Sequence, residues 1–313
     1  MALPVATVIP LAGANARMAP QNHYDFRQMF PTAGNIFFVH HSGSATGTGL
    51  SPGDAVSTID AGINLCTASQ NDHVVVLPGH AEDITTATAI ACDVIGISIV
   101  GLGEGSLIPT ISHTAAAGAV AITVASVRLK NLKFVANFAG GVTNAISIAA
   151  GGDGCTLDGI VMRDTTSDKE FLVHVAVATT VDDLTIKNCD FRGIIAGSMT
   201  NSILFAGTST NTTIQDTFIH VDSSDDTIDH LAGAATACLI RRCVVVNEDT
   251  TTALYCVRHK SDGTGVTHDC RFAYNKVDAE VSVGGASWWL FNHGCNTIAK
   301  GSILEPAATH AIP

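Results

Sequence analysis

Leu184-Thr185-Ile186-Lys187-Asn188-Cys189-Asp190-Phe191 is the stretch that decides the fold. Apolar residues alternate with polar ones through Ile186, slip by one position at Asn188, and resume at Cys189 and Phe191. Alternation marks a strand with one buried face. A slip held by Asn, Asp or Gly is a corner, because these residues tolerate the left-handed backbone of a sharp bend. The stretch is therefore two short strands joined at an angle. The same pattern runs through Leu129, Asn131, Leu132 and Phe134, then Leu157, Gly159, Ile160 and Met162. It continues through Ile214, Asp216, Thr217 and Ile219, then Ile240, Arg242, Cys243 and Val245, then Thr267, Asp269, Cys270 and Phe272. Fainter copies stand at Ile99, Gly101 and Leu102 and at Ile298, Lys300, Gly301 and Ile303.

The first positions, 99, 129, 157, 186, 214, 240, 267 and 298, are spaced by about 28 residues on average. A fixed period of this size marks a repeat architecture. One unit cannot bury its inward residues alone. Stacked copies do so by hydrogen bonding coil to coil about 4.8 Å apart, with like side chains in ladders inside. The coil is too long for a six- or nine-residue solenoid and lacks a leucine-rich consensus. It predicts an all-β, three-sheet parallel β-helix of about eight or more coils, close to 40 Å long.

A second strand set falls between the units and supplies the third side: Ala119–Val124, Ala145–Ala149, Phe171–Val177, Ile203–Ala206, Ala253–Val257 and Trp288–Phe291. Proline gives an independent check. All nine lie at positions 4, 10, 20, 31, 52, 78, 109, 306 and 313, so Ile111 to Glu305 has none. A stacked strand needs its N–H, which excludes Pro from its interior.

The predicted organisation is an extended arm over 1–34, a solenoid over 35–305 and a tail over 306–313. The arm carries four prolines and mixes Met, aromatic and polar residues without a core-like period. Tyr24, Phe26, Met29 and Phe30 are its candidate partner contacts, since Met and aromatics favour interfaces. Within 35–80, strand Asn35–His40, a Gly/Ser/Thr loop over Ser42–Gly53, a helix over Asp54–Ser69 and strand His73–Pro78 predict a short helical cap on the first coil. Trp288 and Trp289 are neighbours on a strand, so one faces in and the other out. The outward ring is a candidate subunit contact.

Composition excludes several classes. A net charge of −12 argues against nucleic acid, which needs a basic face. No apolar run nears 18 residues, so no membrane span is expected. The opening Met1–Ala6 lacks a basic region, and no signal peptide is expected. Nine cysteines show no paired Cys-x-x-Cys zinc pattern. Cys189, Cys243 and Cys270 share one repeat position, and Cys155 and Cys238 another. Ladder positions are core positions, where Cys acts as a small hydrophobe. Reduced buried thiols are expected, with a partial disulfide ladder as the alternative.

Phe37-Phe38-Val39, Gly47–Pro52, the following helix and Val74 to Glu82 resemble the opening segment of right-handed parallel β-helix proteins of the pectate-lyase-like superfamily. They are most similar to the short β-helix proteins of tailed bacteriophages. The resemblance implies a right-handed helix and a virion protein, most simply a capsid decoration or cement protein held by its arm. It also implies a homotrimer, with the major capsid protein or another virion protein as partner. The alternative it implies is a tailspike-type receptor-binding protein with polysaccharide hydrolase or lyase activity. A host-side glycan-binding module is a third reading.

Chemistry-bearing residues are sparse in pattern. Carboxylate pairs for glycoside chemistry are Asp182 with Asp183, Asp225 with Asp226, Asp164 with Asp168 and Glu170, and Asp153 with Asp158. Arg163, Arg192, Arg241 and Arg242 are available beside them. None matches the superfamily's motifs residue by residue, and exposed aromatic platforms are few, so no catalytic residue is assigned. His40 with His41, His220 with His230, and His259 with His268 lack metal-site spacing. Gly101-Leu102-Gly103-Glu104-Gly105 opens no helix, and Gly43 to Gly49 lacks the ending of a phosphate cradle. No cofactor and no metal are expected.

Overall fold

Asn188 sits at φ 56°, and its counterparts Asn131, Gly159, Asp216, Arg242 and Asp269 lie between 50° and 66°. The one-residue slip is thus a left-handed corner in these six coils, whereas at Gly101 a Cβ would meet the Asn131 carbonyl oxygen at 2.1 Å. Each corner N–H donates to a carbonyl one coil away: Asn131 to Asp158 at 3.0 Å, Gly159 to Lys187 at 3.0 Å, Asn188 to Gln215 at 3.2 Å. The Asn188 side chain also donates to Asp158 Oδ1 at 2.8 Å. A second left-handed column, not apparent from the sequence, precedes the same strands at Gly96, Ser126, Gly154, Asp183, Asn211 and Ala237, with φ of 54–78°. Strands Arg128–Lys130, Thr156–Asp158, Thr185–Lys187, Thr213–Gln215 and Cys238–Arg241 of the first sheet are therefore each bracketed by two bends. A β-branched residue is strained at such a φ by about 1–2 kcal/mol. Asn188→Val is expected to cost about 2 kcal/mol in urea unfolding and Asn188→Gly less than about 1. Equal losses would mean that the corner does not set the cost.

The computed structural model describes residues 34–178, 180–195, 197–230, 235–249, 255–259, 265–274, 281–283 and 288–291. All its paired strands run parallel, in a ten-stranded sheet, two eight-stranded sheets and a three-stranded sheet at one corner. Each coil visits the ten-stranded sheet, then the second and third sheets. Thr185–Lys187, Asp190–Arg192 and Asn201–Phe205 are one such circuit. The interior ladder of the first sheet is Val74, Ile99, Leu129, Leu157, Ile186, Ile214, Ile240 and Thr267. That of the second is Ile111, Phe134, Met162, Phe191, Ile219, Val245 and Phe272. These side chains are at most 1% exposed. Burying each of the apolar ones contributes about 1.5–3 kcal/mol. No helix among the described residues is long and apolar enough to cross a membrane.

Three expectations are corrected. The helix spans Ile59–Ile63, not Asp54–Ser69, behind a single 3-10 turn at Pro52–Asp54. Its start is set by Thr58, whose hydroxyl accepts the Ala61 N–H, and by Glu82, which accepts the Ile59 N–H at 2.9 Å. Its end follows because the Thr67 N–H goes to Asp72 at 2.7 Å instead of up the helix. Gly62 is there for close approach: a Cβ would meet Val39 at 2.7 Å and Val74 at 2.9 Å.

The second correction concerns the last coil. Trp288–Phe291 belongs to the ten-stranded sheet, where Leu290 pairs with Thr267. The ladder thus continues through Leu290 after a shorter step, and Ile298 lies outside the described residues. Third, the third sheet includes Ile90–Cys92, Ile228–His230 and Val281–Val283, which strand propensity did not mark. Trp289 pairs with Val266 and Trp288 with Gly265, while both tryptophan side chains, and Tyr24, Phe26, Met29 and Phe30, lie outside the described residues.

Candidate functional site: the acidic corner

The bend between the first and second sheets is tight, but the link from the second sheet to the third is long: 165–172, 193–200 and 222–227. A long link over a dry core leaves backbone N–H groups that must be satisfied. Polar side chains turned into this corner do so, each reaching along the stack. Asp164 follows Arg163 at the end of its strand and shares the inward row with Ala136. It accepts the N–H of Phe171 at 3.0 Å and of Ile194, one coil on, at 3.1 Å. Glu170, 2% exposed, accepts the Ser198 N–H at 2.6 Å. Asn201 donates to the Asp226 carbonyl at 2.7 Å. The Asn247 side chain accepts the Ser223 N–H at 3.1 Å and donates to the Ser223 hydroxyl at 2.9 Å. Asp226 accepts the Tyr255 N–H at 2.8 Å and pairs with Arg258 at 3.0 Å.

Burial pushes the Asp164 carboxyl up to about 7, against its two N–H donors and with help from the charge of Glu170. Burial raises Glu170 as well, opposed by Ser198, with the Asp222 charge adding to the rise. Burial also raises Asp226, opposed by Tyr255 and Arg258. Two neighbouring carboxyls, one titrating near neutrality, are the electrostatic pattern of an acid–base pair. Asp225, Asp226 and Asp229 bring carboxylate oxygens within 4.8 Å of one another, and Arg258 supplies the counter-charge.

The other sequence candidates are dispersed. Asp168 turns away from Asp164 to the Thr166 hydroxyl. Asp153 and Asp158 part company, since Asp153 accepts the Asp182 N–H while Asp158 lies between Lys130 and Lys187 at 4.0 and 3.6 Å. Asp183 is a corner residue holding Asn211. Arg163 and Arg192 both engage Asp190, and Arg192 also covers the Phe218 ring at 4.9 Å. Arg241 bonds Gln215, and Arg242 clasps Asp216 at 2.6 and 2.7 Å. His220 meets Glu248 at 2.9 Å on the second sheet, whereas His230 is buried against Phe205 in the third. His259 pairs with His230, and His268 lies on the first sheet. His40 and His41 approach His80, which bonds Glu82 at 3.1 Å.

Two open grooves lie elsewhere. One, of about 390 Å³, is lined by Ser69, Asn71, Ser98, Ser126, Arg128 and Thr156. The other, of about 590 Å³, is lined by residues including His40, Ser42, Asp54, Leu77 and Pro78. Neither reaches Asp164 or Glu170.

The fold is shared with a rhamnogalacturonan lyase. The TM-score is 0.56 at 13% identity, covering 79% of this chain and 70% of that one. A GH136 lacto-N-biosidase from Eubacterium ramulus has a TM-score of 0.47 at 8% identity, covering 86% and 70%. A pectin methylesterase in complex with a hexasaccharide has a TM-score of 0.37 at 13% identity, covering 78% and 67%. At such identity the likeness to the lyase is one of fold, and this fold hosts unrelated functions. No family model matches the chain, and no curated protein does.

Proposed function

We propose that this chain is a non-enzymatic structural protein of a bacteriophage particle, a decoration or cement protein attached to the capsid surface by residues 1–34. The observation that carries this reading is the separation of the raised carboxyls, Asp164, Glu170 and Asp226, from the two grooves described above. Asp164 gives both its oxygens, and Glu170 and Asp226 one each, to backbone N–H groups of the corner. The two open grooves hold neither Asp164 nor Glu170. The carboxyls thus act as braces between coils, which makes a stiff rod. Tyr24, Phe26, Met29 and Phe30 are the anchors that grip the major capsid protein or a neighbouring virion protein, and the outward tryptophan of Trp288 and Trp289 joins copies into a homotrimer.

The test is co-sedimentation with particles stripped of the protein. Full-length chain is expected to bind, and a chain lacking residues 1–34 to bind at least about tenfold more weakly while staying folded. Undiminished binding by the shortened chain would remove the arm's role. Absence of the protein from purified particles would remove the proposal.

A second reading, a tailspike-type polysaccharide hydrolase or lyase, is favoured by the Asp164 carboxyl standing near 7 beside Glu170. It predicts that host surface polysaccharide is shortened by the protein and that Asp164→Asn stops the shortening. The structural reading predicts unchanged chain length with either protein.

A further inference from the structure

Cys243 and Cys270 occupy the same corner in successive coils. Arg241 pairs with His268 and Val244 with Arg271, so the two cysteines lie directly one above the other. The Arg271 N–H donates to the Cys243 carbonyl at 2.8 Å and closes the ladder beside them. In-register neighbours of parallel strands hold their Cα atoms about 4.8 Å apart, inside the span of about 4.4–6.8 Å that a disulfide bridges. Both side chains are buried, and the Cys270 S–H meets the Ile240 and His268 carbonyls at 3.5 and 3.4 Å.

The rest of each column shows why this contact is singular among the described residues. Thr217 stands between Cys189 and Cys243. Leu184 and Thr212 stand between Cys155 and Cys238. Only at the rung of Cys243 and Cys270 do two thiols meet in neighbouring coils.

We propose that Cys243 and Cys270 form a cross-linking site, closing to a disulfide that staples one coil to the next when a low-molecular-weight disulfide oxidises them. The neighbouring Cys270 thiol draws the Cys243 thiol below its ordinary value, so the exchange starts from Cys243. Its thiolate attacks the S–S bond of the oxidant, releasing one thiolate and leaving a mixed disulfide on Cys243. The Cys270 thiolate then attacks the Cys243 sulfur and expels the second half of the oxidant. Two protein thiols are oxidised, the small disulfide is reduced to two thiols, and the two protons leave on them. Because the pair is buried, exchange proceeds through local opening and is slow. A solenoid's stability is carried by the contacts between neighbouring coils. The staple therefore raises the unfolding midpoint by restricting the opened chain.

The test incubates the reduced full-length protein with oxidised glutathione, then denatures it in a thiol-alkylating reagent and maps the peptides. The expected result is a peptide joined through Cys243 and Cys270, two fewer alkylated thiols, and a thermal midpoint several degrees above that of the reduced protein. Cys189→Ser is expected to leave the link intact, and Cys243→Ser to abolish both the link and the upward shift. Full alkylation of Cys243 and Cys270 after incubation warm enough for amide hydrogens of these coils to exchange would overturn the proposal. So would a predominant link to any other cysteine.

Discussion

Phe191→Ala is expected to remove about 4 kcal/mol from the free energy of unfolding, while Phe218→Ala removes less than about 1. The two phenylalanines are on adjacent strands of the second sheet, and the pair separates the effect of facing from that of residue type. Phe191 stacks between Met162 and Ile219 in the interior ladder and is 0% exposed, with the His174 ring centred 5.3 Å away. Truncation leaves a cavity that the coils above and below cannot fill, because their backbones are tied to each other by the sheet hydrogen bonds. Phe218 faces outward under the Arg192 guanidinium, and its loss removes a cation–π contact of modest worth. Urea midpoints of the two variants decide the matter. Comparable losses would mean that the inward ladder is not where the stability resides.

Stability is expected to fall by roughly 5 kcal/mol between pH 6.5 and 4, enough to unfold many proteins of this size. Burial holds His113 down to about 4, and His174 and His230 down to about 3. His113 sits edge-on to Phe171 with ring centres 4.9 Å apart, and His174 bonds Ser202 at 2.9 Å, so both are neutral members of the core. Below pH 6.5 the unfolded chain protonates these residues and the folded chain does not. Each then lowers stability by about 1.4 kcal/mol per pH unit until its folded value is reached.

Asp164 acts in the opposite sense. Its folded carboxyl, raised to about 7, takes a proton that the unfolded carboxyl takes only near 3.8, so acidification favours the fold in that interval. Glu170 and Asp226, also raised, add to that side. Thermal midpoints across this range should fall steeply on the acid side. In His174→Leu the slope should be shallower by about one proton, whatever that variant's stability at neutral pH. A His174→Leu slope equal to that of the unaltered protein would exclude a neutral buried His174.

The corner at Asn188 and the ladder from Ile99 to Thr267 were legible because their causes are local. A left-handed bend favours Asn, Asp or Gly whatever lies around it, and an inward strand position favours an apolar residue. Arg242 in this column, like Ser126 and Ala237 in the second, shows the limit. Nothing local recommends arginine at φ 50°, and its bidentate hold on Asp216 appears only when the coils are stacked. The helix is shorter than its apolar spacing implies for a similar reason. Apolar spacing through Cys66 was present, but Asp72 takes the Thr67 N–H from across a turn.

The candidate site was partly visible. Asp164 and Glu170 were marked as acidic residues close in sequence, and Asp168 beside them had equal standing. What turns two of them inward and one outward is the path of the long link. The corner partners Asn201, Ser223 and Asn247 left no sequence signal, because a buried asparagine and an exposed one are the same letter. His113 and His174 were likewise indistinguishable from surface histidines until their neighbours were placed.

By itself, the order of residues determined the period, the inward faces and the bends, since each depends on a few consecutive side chains and the backbone angles they allow. The folded coil alone decided which polar groups are dry, which carboxyls burial raises and which two cysteines stand in neighbouring coils. Those properties arise between residues some 25–32 positions apart in the chain, and only the stacking of one coil on the next brings them within reach.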